Sequence, residues 1–201
     1  MYDWRRMADR ERREALAARR AADLPWHRPP HQDWGEGAYL LTAACYEHAP
    51  IIGATPQRMA EWERTLLETV AAFCGQVHAW CVLPNHYHTL VETTQVKTLV
   101  AGAGQLHGRT SHAWNREDCS RGRKVWHGCE ERAMRSEAHF WATMNYVHHN
   151  PVRHGYVTRW EDWPFSSASQ YLAGMGREEA ERIWRSYPLL DYGRGWDAPE
   201  M

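Results

Sequence analysis

The sequence has no long apolar run and a mean hydropathy of −0.72, which excludes a membrane span. Its first residues, "MYDWRR", lead into a charged stretch instead of an apolar one, so no secretory signal is read there. The five cysteines, Cys45, Cys74, Cys81, Cys119 and Cys129, form no Cys-x-x-Cys pair and are odd in number. Neither a zinc ribbon nor a disulfide framework is expected, and a reducing cytoplasm fits best. A net positive charge is missing as well: the formal value is −1. That gives no general electrostatic footprint for nucleic acid. Internal repeats are also absent.

What is present is unevenly spread. Between Leu106 and Lys124 stand Arg109, Arg116, Arg121, Arg123 and Lys124 against only Glu117 and Asp118. Arg132, Arg135 and Arg153 follow. Of these, Arg109, Arg121, Arg123, Lys124, Arg132, Arg135 and Arg153 are candidates for phosphate contacts or for an ordinary solvated surface. Twelve tryptophans suit a core, with some available as stacking platforms for bases.

Length and apolar content suit one packed domain with terminal extensions. The expected division is residues 1–36, a charged helix and Pro-rich loop; 37–173, a catalytic domain; and 174–201, a helical then irregular extension. The charged helix reads as a solvated element, with a DNA-touching arm as the alternative. Residues 38–46 read as a buried strand. A helix follows, capped by Thr55 with Pro56 at its first position and ended near Gly75. Strands at 76–83 and from 86 onward form a hairpin through Pro84-Asn85. Residues 96–115 look helical, although Gly102, Gly104 and Gly108 weaken the pattern. A short strand is expected near 129–135. Ser136 caps a helix over 136–150 with Phe140, Met144 and Val147 on its core face, stopped by Pro151. Ser167 and Gln170 make a capping box for a short helix, and an amphipathic tail begins at Gly174. This order predicts an α+β fold, an antiparallel sheet covered by helices.

The pair His86 and His88 in "PNHYHTLVE" carries the chemistry. Thirteen histidines give about one His-x-His by chance, so the pair needs a setting. On a strand both side chains share a face, and two imidazoles on one pleat can chelate one divalent ion. The 136–150 helix offers the remainder. Tyr146 and Asn150, four apart, share a flank of that helix. An amide oxygen such as that of Asn150 suits Mg²⁺ or Mn²⁺. His148 and His149 point away and are expected at the surface.

"LPNHYHTLV", "NYVHHNPVRHGYV" and "DWPFSSASQYL", in that order, resemble the REP-associated tyrosine transposases, relatives of the single-tyrosine HUH (His, bulky hydrophobic, His) transposases. The resemblance runs from about Tyr39 to Leu172. It implies a ferredoxin-like HUH fold, His86, His88 and Asn150 as metal ligands, and Tyr146 as nucleophile. It also implies single-stranded DNA beside palindromic hairpins as substrate, cut and rejoined through a 5′-phosphotyrosine. Location would then be cytoplasmic and nucleoid-associated, as a monomer or homodimer. Tyr87 departs from the family's usual aliphatic residue, and its hydroxyl needs a partner if buried. A phenol with an ordinary pKa near ~10 is a weak nucleophile until activated, and His139 is a candidate helper. Two rival readings stand beside this one: a non-catalytic hairpin binder, and a metallohydrolase in which Glu92, on the same strand face as the histidines, activates water.

Overall fold

The computed structural model describes residues 8–21 and 35–189. They fall into two units, divided after residue 32. The first contains helix α1 (Asp9–Ala21), an alternation of charge and alanine in which Arg10 Nε meets Glu14 one turn on at 2.8 Å. The irregular aromatic end expected beyond residue 189 lies outside the described residues.

The second unit is built on strands β1 (Gly37–Ala44), β2 (Gln76–Val82), β3 (His86–Thr93) and β4 (Glu130–Ala133). They form one antiparallel sheet in the order β2-β3-β1-β4. One face is covered by α2 (Pro56–Ala71) and α3 (Val96–Glu117). The other is covered by α4 (Glu137–Arg153), followed by α5 (Ala168–Met175) and α6 (Arg177–Ser186). The expected α+β architecture is therefore found. Strand alternation sorts the core into two clusters. Tyr39, Leu41, Tyr87 and Val91 pack with Met59, Trp62, Leu66, Leu99 and Leu106 on the α2–α3 side. Leu40, Cys81, Leu83 and Leu90 pack with Met144, Tyr146 and Val147 on the α4 side.

Local chemistry accounts for most boundaries. Thr55 Oγ1 accepts from Arg58 N at 3.0 Å to start α2, and Ser136 Oγ accepts from His139 N at 3.1 Å to start α4. In α3 the glycines do not break the helix. Gly102 lies where a Cβ would run into the Phe73 ring, so close α2–α3 packing offsets its lower propensity. Arg58, almost wholly buried, ties α2 to the end of α3 through Asp118 (Nη1 to Oδ2, 3.1 Å), Glu117 (3.0 Å) and the Ile51 carbonyl (3.1 Å).

Two expectations fail here. Pro151 does not end α4, which continues to Arg153 with Pro151 buried inside it. In the last turn only one helical donor is lost, and the chain closes with His154 N to Asn150 O (3.1 Å) and Tyr156 N to Pro151 O (2.9 Å). The continuation holds Asn150 and Arg153 in helical phase with Tyr146. Ser167 and Gln170 do not form a capping box either: no side-chain cap bond starts α5. The Ser167 hydroxyl is taken up by Trp80 N (2.9 Å) and His148 Nε2 (2.8 Å).

Candidate active site

Alternation on β3 sends His86, His88 and Leu90 toward α4, and Tyr87 and Val91 toward α2 and α3. The Tyr87 hydroxyl finds its partner there, 3.1 Å from His107 Nε2 and 3.9 Å from Cys129 Sγ. Trp62 and Trp126 crowd the same ring. A tyrosine fits between the two histidines because α3 supplies an imidazole to its hydroxyl.

On the other face the four residues singled out from the sequence converge within one chain. His86 Nε2 lies 3.0 Å from Asn150 Oδ1, and His88 Nε2 lies 3.4 Å from Tyr146 Oη. The two imidazole centroids are 5.1 Å apart. All four side chains are buried, Tyr146 and Asn150 completely, deeper than the helix flank the periodicity implied.

The outer ring nitrogens are fixed by residues the sequence reading missed. Asn85 Nδ2 donates to the His48 carbonyl at 3.2 Å, a bond only its NH₂ can make. Its Oδ1 is thereby turned to His86 Nδ1, 2.8 Å away. Nδ1 of His86 then carries the proton, and the Nε2 lone pair faces the helix. Thr42, opposite His88 in the β1–β3 register, holds His88 Nδ1 at 2.8 Å. The position of Asn85 beside the pair was visible in the sequence. The Thr42 pairing depends on strand register and was not.

With that tautomer, His86 Nε2 and Asn150 Oδ1 are two acceptors 3.0 Å apart with no proton to share. Asn150 Nδ2 is buried without a hydrogen-bond partner, so nothing on the far side of the amide compensates. A cation between the two acceptors resolves the conflict, as does turning the amide so that Nδ2 donates to His86 Nε2. Two ligand atoms about 2.1 Å from an octahedral ion stand about 3.0 Å apart. His86, His88 and Asn150 thus suit a small divalent cation by donor type, and His86 and Asn150 by spacing as well. Among the described residues no group of three His, Cys, Asp or Glu side chains is disposed to hold a metal, so the amide would have to complete the set.

Replacing Asn85 with alanine is expected to free the His86 tautomer and lower divalent-metal affinity about ten- to a hundredfold, read by calorimetric titration with Mn²⁺. An unchanged fold by circular dichroism would separate this from unfolding.

The basic candidates divide. Arg153, in the last turn of α4, sits with its guanidinium carbon 5.6 Å from the Tyr146 ring centroid. Arg123 is engaged by Asp118 (2.7 Å) and Asn115 (3.0 Å) and braces the turn after α3. Lys124 lies over the Tyr46 ring at 4.4 Å. Arg109 and Arg121 are exposed on α3 and the following loop, and α3 packs on the face opposite Tyr146. Arg132 and Arg135 are exposed near the start of α4. Burial, with those two charges, lowers the His139 pKa. His139 itself accepts from Arg135 N at 3.2 Å, two turns from Tyr146. His154 stands closer, its ring 4.9 Å from His86, and was not among the candidates. Glu92 is exposed and bonded to His78 at 3.1 Å, four residues up the strand from His88.

His148, expected at the surface, is buried and bonded to Ser167. The α5 segment covers a face of α4 that looked polar in isolation. Burial drives the His148 imidazole down to about 3. Below its ordinary value near ~6.5 the unfolded chain therefore binds a proton that the folded chain refuses. Stability rises with pH across this window and is lost as pH falls through it. Between about pH 7.5 and about pH 5 the expected loss is on the order of 2 kcal/mol, read from urea midpoints. The His148→Gln variant should flatten that slope, to which His139 and His149, also lowered by burial, contribute in the same direction. Asp118, held at about 2 by its bond to Arg58, enters only in more acid solution.

The sheet presents a His-x-His pair to a helix carrying a tyrosine and an asparagine one turn apart, the arrangement that the resemblance led us to expect. The comparisons point the same way, to the REP-associated tyrosine transposases. The chain is 31% identical over 100 residues to the REP-associated tyrosine transposase of Escherichia coli (strain K12), covering 49% of this chain and 57% of that one. It is 25% identical over 128 residues to a putative REP-associated tyrosine transposase of Haemophilus influenzae (strain ATCC 51907 / DSM 11121 / KW20 / Rd), covering 53% and 66%. The chain thus spans less than two thirds of either relative. No family model matches it. A solved structure of a REP-associated tyrosine transposase bound to a REP hairpin shares the fold, with a TM-score of 0.59 at 18% identity, over 76% of this chain and 89% of that one. Among the described residues no helix is long and apolar enough to cross a membrane.

Proposed function

We propose that this protein nicks single-stranded DNA beside hairpins and transfers the cut strand, using Tyr146 as nucleophile and a divalent cation, Mg²⁺ or Mn²⁺, at His86, His88 and Asn150. The observation that carries the reading is the convergence of Tyr146 Oη and Asn150 Oδ1 on the Nε2 atoms of His88 and His86.

The cation would neutralise and polarise a phosphodiester that otherwise repels nucleophiles. The three protein ligands carry no charge, so anionic phosphate oxygens would strengthen the site, and metal affinity should rise when DNA is present. Tyr146 Oη attacks phosphorus and gives up its proton. The P–O3′ bond breaks, and the departing oxygen takes a proton to become a 3′-OH. The product is a 5′-phosphotyrosine. Attack on that link by another strand's 3′-OH restores the phenol and joins the DNA, without any external energy source. Arg153 places a positive charge beside the phenol ring where negative charge develops. Because the four side chains are buried, the residues over them must move aside for a phosphate to enter. The four side chains meet within one chain, so the proposed reaction would draw on no residue from a second copy.

The test is a denaturing gel of the protein with labelled hairpin-bearing single strands and Mg²⁺ or Mn²⁺. A metal-dependent covalent protein–DNA band supports the reading. Cleavage with no covalent band supports water activation, and binding without cleavage supports a passive binder.

A further inference from the structure

Among the described residues three that are not glycine have positive φ, and two of them are consecutive. These are Glu47 (φ 54°) and His48 (φ 52°), in the turn that follows β1. Left-handed backbone is unfavourable for any residue with a Cβ and persists only where neighbouring contacts impose it. Here both sides of the turn are pinned. On one side, Cys45 N donates to the Asn85 carbonyl at 2.7 Å, and Asn85 Nδ2 donates to the His48 carbonyl at 3.2 Å. On the other, Tyr46 N donates to the Val125 carbonyl at 2.8 Å, and His127 N donates to the Ala44 carbonyl at 2.9 Å. The His127 ring stands 5.0 Å from the Tyr46 ring, and its Nε2 accepts from Glu47 N at 3.4 Å. A backbone N–H only donates, so that nitrogen carries no proton.

We propose that His127 is a positioning residue for His86, acting through the left-handed Glu47–His48 turn and Asn85. The inference rests on the reading that a divalent cation binds at His86, and extends that site to a residue on the far side of β1. His127, anchored to β1 by its own backbone, holds the Glu47 amide. With Glu47 fixed in left-handed backbone, the His48 carbonyl aims at Asn85. That carbonyl takes only the NH₂ of the Asn85 amide, which leaves Oδ1 for His86 Nδ1, 2.8 Å away. The His86 proton then sits on Nδ1, and the Nε2 lone pair faces Asn150. A turn relaxed to ordinary negative φ would swing the carbonyl off Asn85. The Asn85 amide could then turn over and offer its NH₂ to Nδ1. That moves the His86 proton to Nε2, the nitrogen a cation needs bare. Hydrogen bonds on the outer nitrogen of a ligating imidazole govern metal affinity in general. In this chain the strained turn, and the imidazole that pins it, decide the sense of that bond.

The experiment uses the full chain labelled with nitrogen-15. Nuclear magnetic resonance in chelator reads which His86 ring nitrogen is protonated, and calorimetry then follows Mn²⁺ binding. The parent should carry the proton on Nδ1. His127→Phe keeps a ring against Tyr46 and deletes the acceptor. In it the Nε2–H form should appear, and Mn²⁺ affinity should fall roughly three- to tenfold, less than in Asn85→Ala because the change is further from the ligand. His127→Gln, whose amide oxygen accepts from Glu47 N, should restore the parent's tautomer and affinity. Combined with Asn85→Ala, His127→Phe should cost no further affinity, since the link is already broken; a residue that only supports the fold would add its own loss. His127→Leu repeats the comparison if His127→Phe does not fold by circular dichroism. A parent with the proton on Nε2, an unchanged tautomer in the His127 variants, or additive losses would overturn the inference. A parent with the proton on Nδ1 that binds no Mn²⁺ removes the cation reading alone, because the tautomer still reports the positioning of His86.

Discussion

Changing Tyr146 to phenylalanine is expected to abolish the covalent protein–DNA band and to reduce strand cleavage by more than about a thousandfold, with hairpin binding and divalent-metal affinity intact. The substitution deletes one oxygen. That oxygen's contact with His88 Nε2, at 3.4 Å, is longer than those of His86 with Asn85 and Asn150 and of His88 with Thr42. The ring remains to fill the space between β3 and α4 beside Leu90 and Val147. Stability should therefore change by no more than about 1 kcal/mol. His86, His88 and Asn150 keep their positions because Asn85, Thr42 and the helix hold them independently of the phenol. Cleavage that persists in this variant would transfer the chemistry to water and require a general base. Glu92, the base the sequence suggested, is exposed and engaged by His78. At about 3.3 Å per strand residue it stands roughly 13 Å from His88 along β3, too far to share a phosphate with the pair.

Most of this site was legible because two periodicities are rigid. A period of two places His86 beside His88, and a period of 3.6 places Tyr146 beside Asn150. Both depend only on knowing which segment is strand and which is helix. The elements around them were marked by chemistry that acts within a few residues, such as the Thr55 and Ser136 caps. What stayed hidden is what depends on a distant partner. Thr42 reaches His88 through strand register. Tyr87 is tolerated because His107, on another element, meets its hydroxyl. His148 is buried because α5 and its serine close over it. Pro151 misled for a related reason. Its local preference is real, but tertiary burial of Pro151 and Asn150 outweighs one missing helical bond. Arg153 owes its place beside Tyr146 to that override.

The second large effect is expected at Asn150, where function and stability should move in opposite directions. Without a cation, this residue points an acceptor at the His86 lone pair and leaves its own NH₂ buried and unmatched. Both arrangements cost free energy in the metal-free fold, about 1–3 kcal/mol for an unmatched buried group. Leucine has nearly the same shape and asks for no hydrogen bond. The Asn150→Leu variant should therefore be more stable than the parent in the presence of a chelator, by about 1–2 kcal/mol in urea unfolding. It should also lose the oxygen ligand, and divalent-metal affinity should fall by about a hundredfold or more. Added Mn²⁺ should raise the unfolding midpoint of the parent and leave that of the variant in place. If the variant is instead destabilised in chelator, the amide already has its partners within the fold. His86 and Asn150 would then be an ordinary buried pair, and the case for a cation between them would be lost. A gain in stability together with a loss of metal response is the signature of a residue kept for binding at a cost to the fold.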